Sequence, residues 1–232
     1  MTDTVVIAGR FCGPPQSGNG GYSSGLVARE FEGAVEVTLR KPPPLDRALA
    51  LRRDAVLALC DGDEIVAEAR PATLELTVPD PPSFDDAVVA SRTYRGFEQH
   101  SFPTCFVCGP GRAAGDGLRI FPGRASDSRL VAAPWVPDAS LAAPDGCVAP
   151  EFLWASLDCP GYFGAAPEEL PRALLGRMTA ELTGSVAPGE RCVVIGWRLG
   201  LEGRKLHAAS ALFGADGTLR GKARQTWIIV NG

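Results

Sequence analysis

The stretch that decides the fold is Val148–Ala165, VAPEFLWASLDCPGYFGA. Its apolar side chains recur mostly at spacings of three and four, the pattern of a helix buried along one broad face. Pro150 and Glu151 suit the first turn, where a missing N–H costs nothing and a negative charge meets the positive end of the helix dipole. Pro160-Gly161 is expected to kink or end the helix. We therefore predict a buried helix over most of this stretch.

Asp158 is a carboxylate in the middle of this mostly apolar helix. An aspartate in such a position needs a partner, a water molecule or a chemical role, because burying an unpaired charge is costly. One interpretation is a core carboxylate that accepts a hydrogen bond from a neighbouring backbone amide. The other is a functional acid, and the helix pattern by itself leaves both open.

Length and composition exclude several classes of protein. The chain has 232 residues, 45% of them hydrophobic and 22% charged, which is ordinary for one large or two small globular domains. Its net charge of −4 predicts no nucleic-acid binding, and the absence of a run of eighteen apolar residues predicts no membrane span. The first residues lack the features of a secretory signal. The seven cysteines show no disulfide-scaffold spacing, which favours a cytoplasmic location.

Two segments of the chain resemble each other. LALCDGDEIVAEARPATLEL (57–76) aligns with ALFGADGTLRGKARQTWII (211–229), and each contains a strand, an Asp-Gly turn and a strand with Ala-Arg and then Thr. Each is preceded by a predicted helix, Tyr22–Phe31 in the first half, and by a strand. A helix followed by an antiparallel meander, repeated twice, is typical of the hotdog architecture. We predict an α+β double hotdog, two helix-wrapped antiparallel sheets in one chain, with units at 1–90 and 91–232 that lie side by side so that their sheets are continuous.

The other elements follow from alternation and turn residues. A proline-rich, glycine-rich connector with a short helix at Ala87–Arg95 is predicted between the halves. Strands are predicted at residues 4–8, Ala34–Leu39, Arg47–Leu51, Val56–Cys60, Ile65–Ala69, Leu74–Val78, Leu118–Phe121, Leu130–Trp135, Leu174–Val186, Cys192–Leu199, Lys205–Phe213 and Leu219–Val230.

The loop and strand CFVCGPGRAAGDGLRIFPG (105–123), the strand that ends at Trp135 and the helix segment LWASLD (153–158) together resemble the thioesterase-like hotdog family. The ending ARQTWIIV is also similar to the last strand of that family. As architecture, the resemblance covers most of the chain. It implies a thioester hydrolase without a cofactor, acting on acyl-CoA or on an acyl-carrier thioester.

The resemblance also implies a site. In many of these thioesterases the helix begins at a His-Gly-Gly step, where a backbone amide binds the thioester carbonyl, and an Asp or Glu nine residues after the His acts from the other subunit. Here Asn19-Gly20-Gly21 takes the place of that step, but the residue nine positions on is Ala28. In the second half the acid is present as Asp158, and the residue nine positions before it is Ala149. The two surviving parts are therefore expected to form one composite site.

In that site Asp158 is predicted to be the catalytic residue, as a general base or a nucleophile. Asn19, Gly20, Gly21 and Tyr22 are predicted to bind the substrate, with a glycine N–H stabilising the oxyanion. Asn19 has a second interpretation as a simple helix cap.

Cys105-x-x-Cys108 supplies half of a zinc site by its spacing. The other half would have to come from His100, Cys12, Cys147 or Cys159, and no second Cys-x-x-Cys exists. We therefore predict no metal and no lasting disulfide at this loop. Three arginines could meet coenzyme A phosphates or lie on the solvated surface: Arg112, Arg119 and Arg124.

Two other functions compete with hydrolysis. One is a catalytically silent hotdog module that binds acyl thioesters or acts as an assembly partner. The other is a hotdog dehydratase, which is disfavoured because no histidine lies near either helix. The sequence leaves the acyl group, the carrier and homo-oligomer formation open.

Overall fold

The computed structural model describes residues 3–126 and 129–230. Within these residues one antiparallel sheet of eleven strands carries three α-helices. The strands are β1 Asp3–Val6, β2 Val35–Leu39, β3 Ala48–Arg53, β4 Leu57–Asp61, β5 Glu64–Pro71, β6 Gly123–Arg124, β7 Leu130–Trp135, β8 Ala173–Leu182, β9 Cys192–Glu202, β10 Lys205–Phe213 and β11 Leu219–Ile229. The helices are α1 Gly20–Ala28, α2 Phe84–Ser91 and α3 Pro150–Ala165.

The sheet has the strand order β1-β3-β4-β5-β2-β8-β11-β10-β9-β7-β6. The halves of the chain meet at β2 and β8, where Val35 pairs with Ala180 and Val37 pairs with Met178. In each half the junction strand is the one that follows the long helix. Its outer neighbour is the last strand of that half, β5 beside β2 and β11 beside β8. The sheets of the two halves thus form one continuous sheet, as expected from the sequence, because pairing satisfies backbone groups that two free edges would expose.

Helices α1 and α3 lie side by side against one face of the sheet. Small residues on α1 allow the close approach: a Cβ added to Gly21 would lie 2.8 Å from the Trp154 carbonyl oxygen, and one on Gly25 would lie 2.6 Å from Glu151 Cα. The other face of the second half is covered as well, because Ala87 and Ala90 of α2 belong to a buried cluster with residues of β7, β9 and β10.

The helix α3 runs through Pro160 to Ala165, so it does not end at Pro160-Gly161. Leu157, in the turn before the proline, keeps its carbonyl bonded: Ser210 Oγ donates to it at 2.6 Å, and Gln225 Nε2 donates to it too. The sheet therefore supplies partners for backbone polar groups in a region where a proline weakens the helix's own bonds.

Other elements also differ from the sequence prediction. Helix α1 begins at Gly20 rather than Tyr22, and α2 begins at Phe84, where Ser83 caps it. Leu74–Val78 is not a strand, because side chains of β11 occupy its carbonyls; Lys222 Nζ, for example, donates to Leu74 O.

Leu118–Phe121 is not a strand either. Its N–H groups bond to the preceding loop instead: Leu118 N donates to Phe106 O at 2.8 Å and Ile120 N donates to Val107 O at 2.9 Å. The segment is thereby tied to the Cys-x-x-Cys loop rather than to the sheet.

Among the described residues, no helix combines the length and the apolar character that crossing a lipid bilayer requires.

Candidate functional site

The start of α1 and the middle of α3 meet through Asp158. Asn19 caps α1, its Oδ1 accepting a hydrogen bond from Tyr22 N at 2.9 Å. The same side chain donates from Nδ2 to Asp158 Oδ2 at 2.7 Å. Gly21 N donates to that carboxylate oxygen at 3.1 Å. The sequence prediction thus named residues that the fold brings into direct contact, although 137 positions separate Gly21 from Asp158.

Asp158 is buried, with 1% of its surface exposed. Burial is the main cause that raises the pKa of its carboxyl group to about 7; the nearby Cys105 adds to this rise, and the hydrogen bonds from Gly21 and Asn19 partly offset it. Within the described part of the chain, no polar atom lies in hydrogen-bond range of Asp158 Oδ1. One carboxylate oxygen is therefore held by the protein, while the other is buried without a hydrogen-bond partner among these residues.

A cavity of about 670 Å³ opens at this carboxylate. Volumes of a few hundred to a thousand Å³ are typical of small-molecule sites. Asn19, Gly20 and Asp158 line one part of the cavity. Much of the rest of its wall is apolar, including Leu39, Phe102, Tyr162, Phe163, Leu170, Leu175, Trp227, Ile228 and Val230.

Exposed cations also line this cavity: Arg40, Lys41 and Arg172. Arg40 and Lys41 form ion pairs with Glu68 and Glu64. Arg172 instead lies over the ring of Phe102, with its guanidinium carbon 5.2 Å from the ring centroid. The wall thus combines an apolar surface with positive charge.

Gly20 is the first residue of α1 and lines the cavity. Among the described residues none accepts a hydrogen bond from its N–H, unlike that of Gly21, which is engaged by Asp158. Its lack of a side chain is required, because a Cβ there would lie 2.9 Å from Leu175 Cβ. Of the two glycines predicted as oxyanion donors, Gly20 is therefore the one whose N–H has no acceptor among these residues.

Tyr22 is placed differently from the other predicted site residues. Its ring stacks on Phe11 at a centroid distance of 4.2 Å and does not line the cavity. Only its backbone N–H takes part in the site, through the cap made by Asn19.

The equivalent position formed by the start of α3 and the Ala28 position of α1 has neither the helix-start residues nor the acid. Ala149 caps α3 without a side-chain hydrogen bond, and Ala28 occupies the place in α1 that Asp158 holds in α3.

The arginines considered from the sequence do not line the cavity, whereas Arg172 does. Arg112 donates to Thr104 O and pairs with Asp116, and Arg124 pairs with Glu168. No sequence motif distinguished Arg172, whose position at the cavity follows from its place just before β8.

The Cys-x-x-Cys loop forms another part of the cavity wall. Cys105, Cys108 and Cys159 have their sulfur atoms within 4.8 Å of one another. Asn19 Nδ2 lies 3.8 Å from Cys105 Sγ, so this cluster adjoins Asp158 and its partners. The sequence argument against a metal rested on the absence of a second Cys-x-x-Cys. Of the four candidates considered for the remaining ligands, the fold brings Cys159 of α3 to the cluster.

No protein-family model matches the sequence, and a search of curated proteins finds no significant match. Solved structures do match. A proposed thioesterase from Novosphingobium aromaticivorans is 13% identical with a TM-score of 0.63, covering 98% of this chain and 95% of its own. A proposed thioesterase II from Thermobifida fusca is 15% identical with a TM-score of 0.60, covering 98% and 92%.

A hotdog-fold protein of unknown function from Alicyclobacillus acidocaldarius is 12% identical with a TM-score of 0.59, and the match covers 99% of this chain and 93% of that one. At such identities the likeness establishes the fold. The chain therefore has the hotdog fold found in thioesterase-like proteins, as the sequence resemblance implied.

Proposed function

We propose that this chain is a double hotdog that hydrolyses an acyl thioester at one composite site. The units are the two halves, 1–90 and 91–232. The site takes its helix start from the first unit and its acid from the second.

The contacts between α1 and α3 support two equivalent units. Gly21, two residues after the cap Asn19, faces Ala155, six residues after the cap Ala149. In the reciprocal contact Gly25, six residues after its cap, faces Glu151, two residues after its cap. Matched contacts of this kind are expected of two units related by an approximate twofold axis.

The observation that carries the proposed reaction is the hydrogen-bonded contact of Asp158 with the start of α1 beside the cavity. Gly20 N–H, at the positive end of the α1 dipole, would bind the thioester carbonyl and stabilise the oxyanion. Asn19 and Gly21 fix Asp158 Oδ2, which leaves Oδ1 to take a proton from water or to attack the carbonyl carbon.

In the water route the oxygen of water bonds to the acyl carbon and the carbon–sulfur bond breaks. The proton taken by Asp158 is then passed to the departing thiolate. This reaction requires no cofactor.

We propose a cytoplasmic location for the chain. Its seven cysteines are all free thiols, which is compatible with a reducing compartment.

The cavity wall suggests which thioesters fit. Leu175, Trp227 and Phe163 offer an apolar surface to an acyl group, and Arg172 offers a positive charge to the phosphates of coenzyme A or of a carrier's prosthetic arm. We therefore place the acyl group against the apolar wall and the phosphorylated end near Arg172.

The test is hydrolysis of a panel of acyl-CoA esters by the wild type and by Asp158→Asn. We expect the variant to lose at least about a hundredfold in kcat/KM, because Asn cannot accept a proton or attack as a carboxylate. Glu151→Gln is the matched control, since it removes a carboxylate from the same helix outside the cavity. Undiminished turnover in Asp158→Asn would contradict the proposal.

A silent binding module is the second candidate, and one observation favours it. Asp158 Oδ2 already accepts two hydrogen bonds that join α1 to α3, which is what a purely structural carboxylate would do. In that case the wild type binds acyl-CoA in a calorimetric titration without hydrolysing it, and Asp158→Asn lowers the melting temperature instead of a rate.

A further inference from the structure

Three buried thiols from distant parts of the chain converge beside the proposed site. Cys105 and Cys108 come from the loop between the halves, and Cys159 comes from α3. Cys105 Sγ and Cys159 Sγ are 3.8 Å apart, and all three sulfur atoms lie within 4.8 Å of one another. The other four cysteines belong to no such group among the residues the structure describes.

The spacing of Cys105 and Cys159 matches the edge of a tetrahedral metal site, and Cys108 lies within 4.8 Å of both. Zinc–sulfur bonds of about 2.3 Å place two thiolate ligands about 3.8 Å apart. Three thiolates select a soft divalent metal over magnesium or calcium, which prefer oxygen ligands.

The loop that holds the first two thiols is tightly folded. Gly109 follows Cys108 directly, and a Cβ at Gly109 would lie 2.5 Å from Cys105 N, so only glycine fits. A backbone hydrogen bond from Gly109 N to Cys105 O, 2.9 Å long, also holds the loop. The two thiols are therefore fixed relative to each other.

His100 stands beside this cluster as a donor rather than as a ligand. Phe102 N donates to His100 Nδ1 at 2.9 Å, so in the neutral ring the proton is on Nε2. Nε2 lies 3.3 Å from Cys108 Sγ and can donate to it. Asn19 Nδ2 lies near Cys105 Sγ in the same way. The His100 ring and the Asn19 amide are thus two neutral donors that would offset the negative charge of a thiolate cluster.

We propose that Cys105, Cys108 and Cys159 bind one Zn²⁺ as thiolates, with water in the fourth position. Binding replaces three thiol protons with the metal ion and releases them to solvent. The ion would tie the loop to α3 next to Asp158 and so fix the wall of the cavity. It takes no part in the thioester reaction proposed above, and its test does not depend on that activity.

The first test is elemental analysis of untagged full-length protein purified under reducing conditions without chelator. We expect a stoichiometric amount of zinc in the wild type and less than about a tenth of it in Cys105→Ser, Cys108→Ser and Cys159→Ser. Cys60→Ser and Cys192→Ser are the matched controls, because both are buried cysteines outside the cluster, and they should retain zinc. Metal-free wild type, or equal loss in the controls, would overturn the proposal.

A second test does not depend on whether the serine variants fold. Metal-stripped, reduced wild type is titrated with Co²⁺, and we expect thiolate-to-cobalt charge-transfer absorption together with the intense visible bands of tetrahedral cobalt. One equivalent of Zn²⁺ should displace the cobalt and abolish both signals. Absence of these bands in folded, fully reduced protein would overturn the site.

His100→Ala tests the ligand set. Because His100 is assigned as a donor to Cys108, the variant should retain stoichiometric zinc and should bind it several-fold more weakly in a competition titration with a chelator. X-ray absorption of the wild type should give three sulfur neighbours and one oxygen neighbour. Complete loss of zinc from the variant, with a histidine signature in the absorption spectrum, would refute the three-thiolate assignment.

Discussion

Gly21 is one of the two glycines at which α1 and α3 come into close contact. A Cβ there would lie 2.6 Å from Asp158 Cβ and 2.8 Å from the Trp154 carbonyl oxygen, and backbone cannot move aside cheaply. We expect Gly21→Ala to destabilise the fold by about 1–3 kcal/mol. The matched control is Gly200→Ala, where an added Cβ would meet nothing within 4 Å. Thermal unfolding checks this: equal melting temperatures of the two variants would contradict the close helix contact.

Arg172 is the cation we assign to the phosphorylated end of the substrate. We expect Arg172→Ala to raise KM for an acyl-CoA about tenfold and to leave kcat within about twofold, because the guanidinium contributes binding away from the reacting carbonyl. The same acyl group on a short thiol without phosphates should show no such change. Arg198→Ala, an exposed arginine of β9 outside the cavity, is the control. A similar loss with both substrates would argue against phosphate binding.

At the scale of elements, α3 depends on the sheet for polar partners. Gln225 is 1% exposed; it donates to Leu157 O and to Ser210 Oγ and accepts from Trp227 Nε1 at 2.9 Å. We expect Gln225→Leu to cost about 1–3 kcal/mol, since it leaves the Trp227 donor without its acceptor. Ser210→Ala removes one donor to the same carbonyl and should cost less. Denaturant unfolding measures both, and a neutral Gln225→Leu would show that the network adds no stability.

Elements with a clear period and a clear boundary were predictable from the sequence. β10 has the bounds that alternation predicted, and α3 starts at the proline expected in its first turn. The two failures among the strands, Leu74–Val78 and Leu118–Phe121, have a strand-like pattern, but their backbone groups bond to side chains or to a loop. The hydrophobic pattern indicates which residues are buried, but it does not indicate which hydrogen-bond partners the backbone groups have.

At the scale of the molecule, the two halves share one sheet and one helix pair. We expect neither 1–80 nor 81–232 to fold alone, because each fragment would expose the β2 or β8 edge and an apolar helix face. The cut after Asp80 keeps α2 with the half on which it packs. Co-expressed fragments should form a stable complex with native circular dichroism. A soluble, cooperatively unfolding 1–80 fragment would contradict this interdependence.

Those parts of the candidate site that depend on the spacing of residues along one segment were predictable from the sequence. Those that depend on how separate segments pack together were not. The sequence showed that Asp158 lies at the acid position of a helix that lacks the glycine step. It also showed that Asn19 begins a helix that lacks the acid. The fold joins these two residues. Arg172 carried no such signal, and Cys159 was only one of four candidates for completing a metal site. The contact of Cys159 with the loop and the place of Arg172 at the cavity follow from packing between segments, which no spacing within one segment encodes.

The central claim is that a thioester carbonyl binds at Gly20 N–H within reach of Asp158. The most direct measurement is a crystal structure of the chain with a non-hydrolysable acyl-CoA analogue in which a methylene separates the carbonyl from the sulfur. We predict the carbonyl oxygen within hydrogen-bond distance of Gly20 N, its carbon facing Asp158 Oδ1, and the acyl chain along Leu175 and Trp227. An analogue bound outside this cavity, or in it with its carbonyl away from Gly20, would contradict the account.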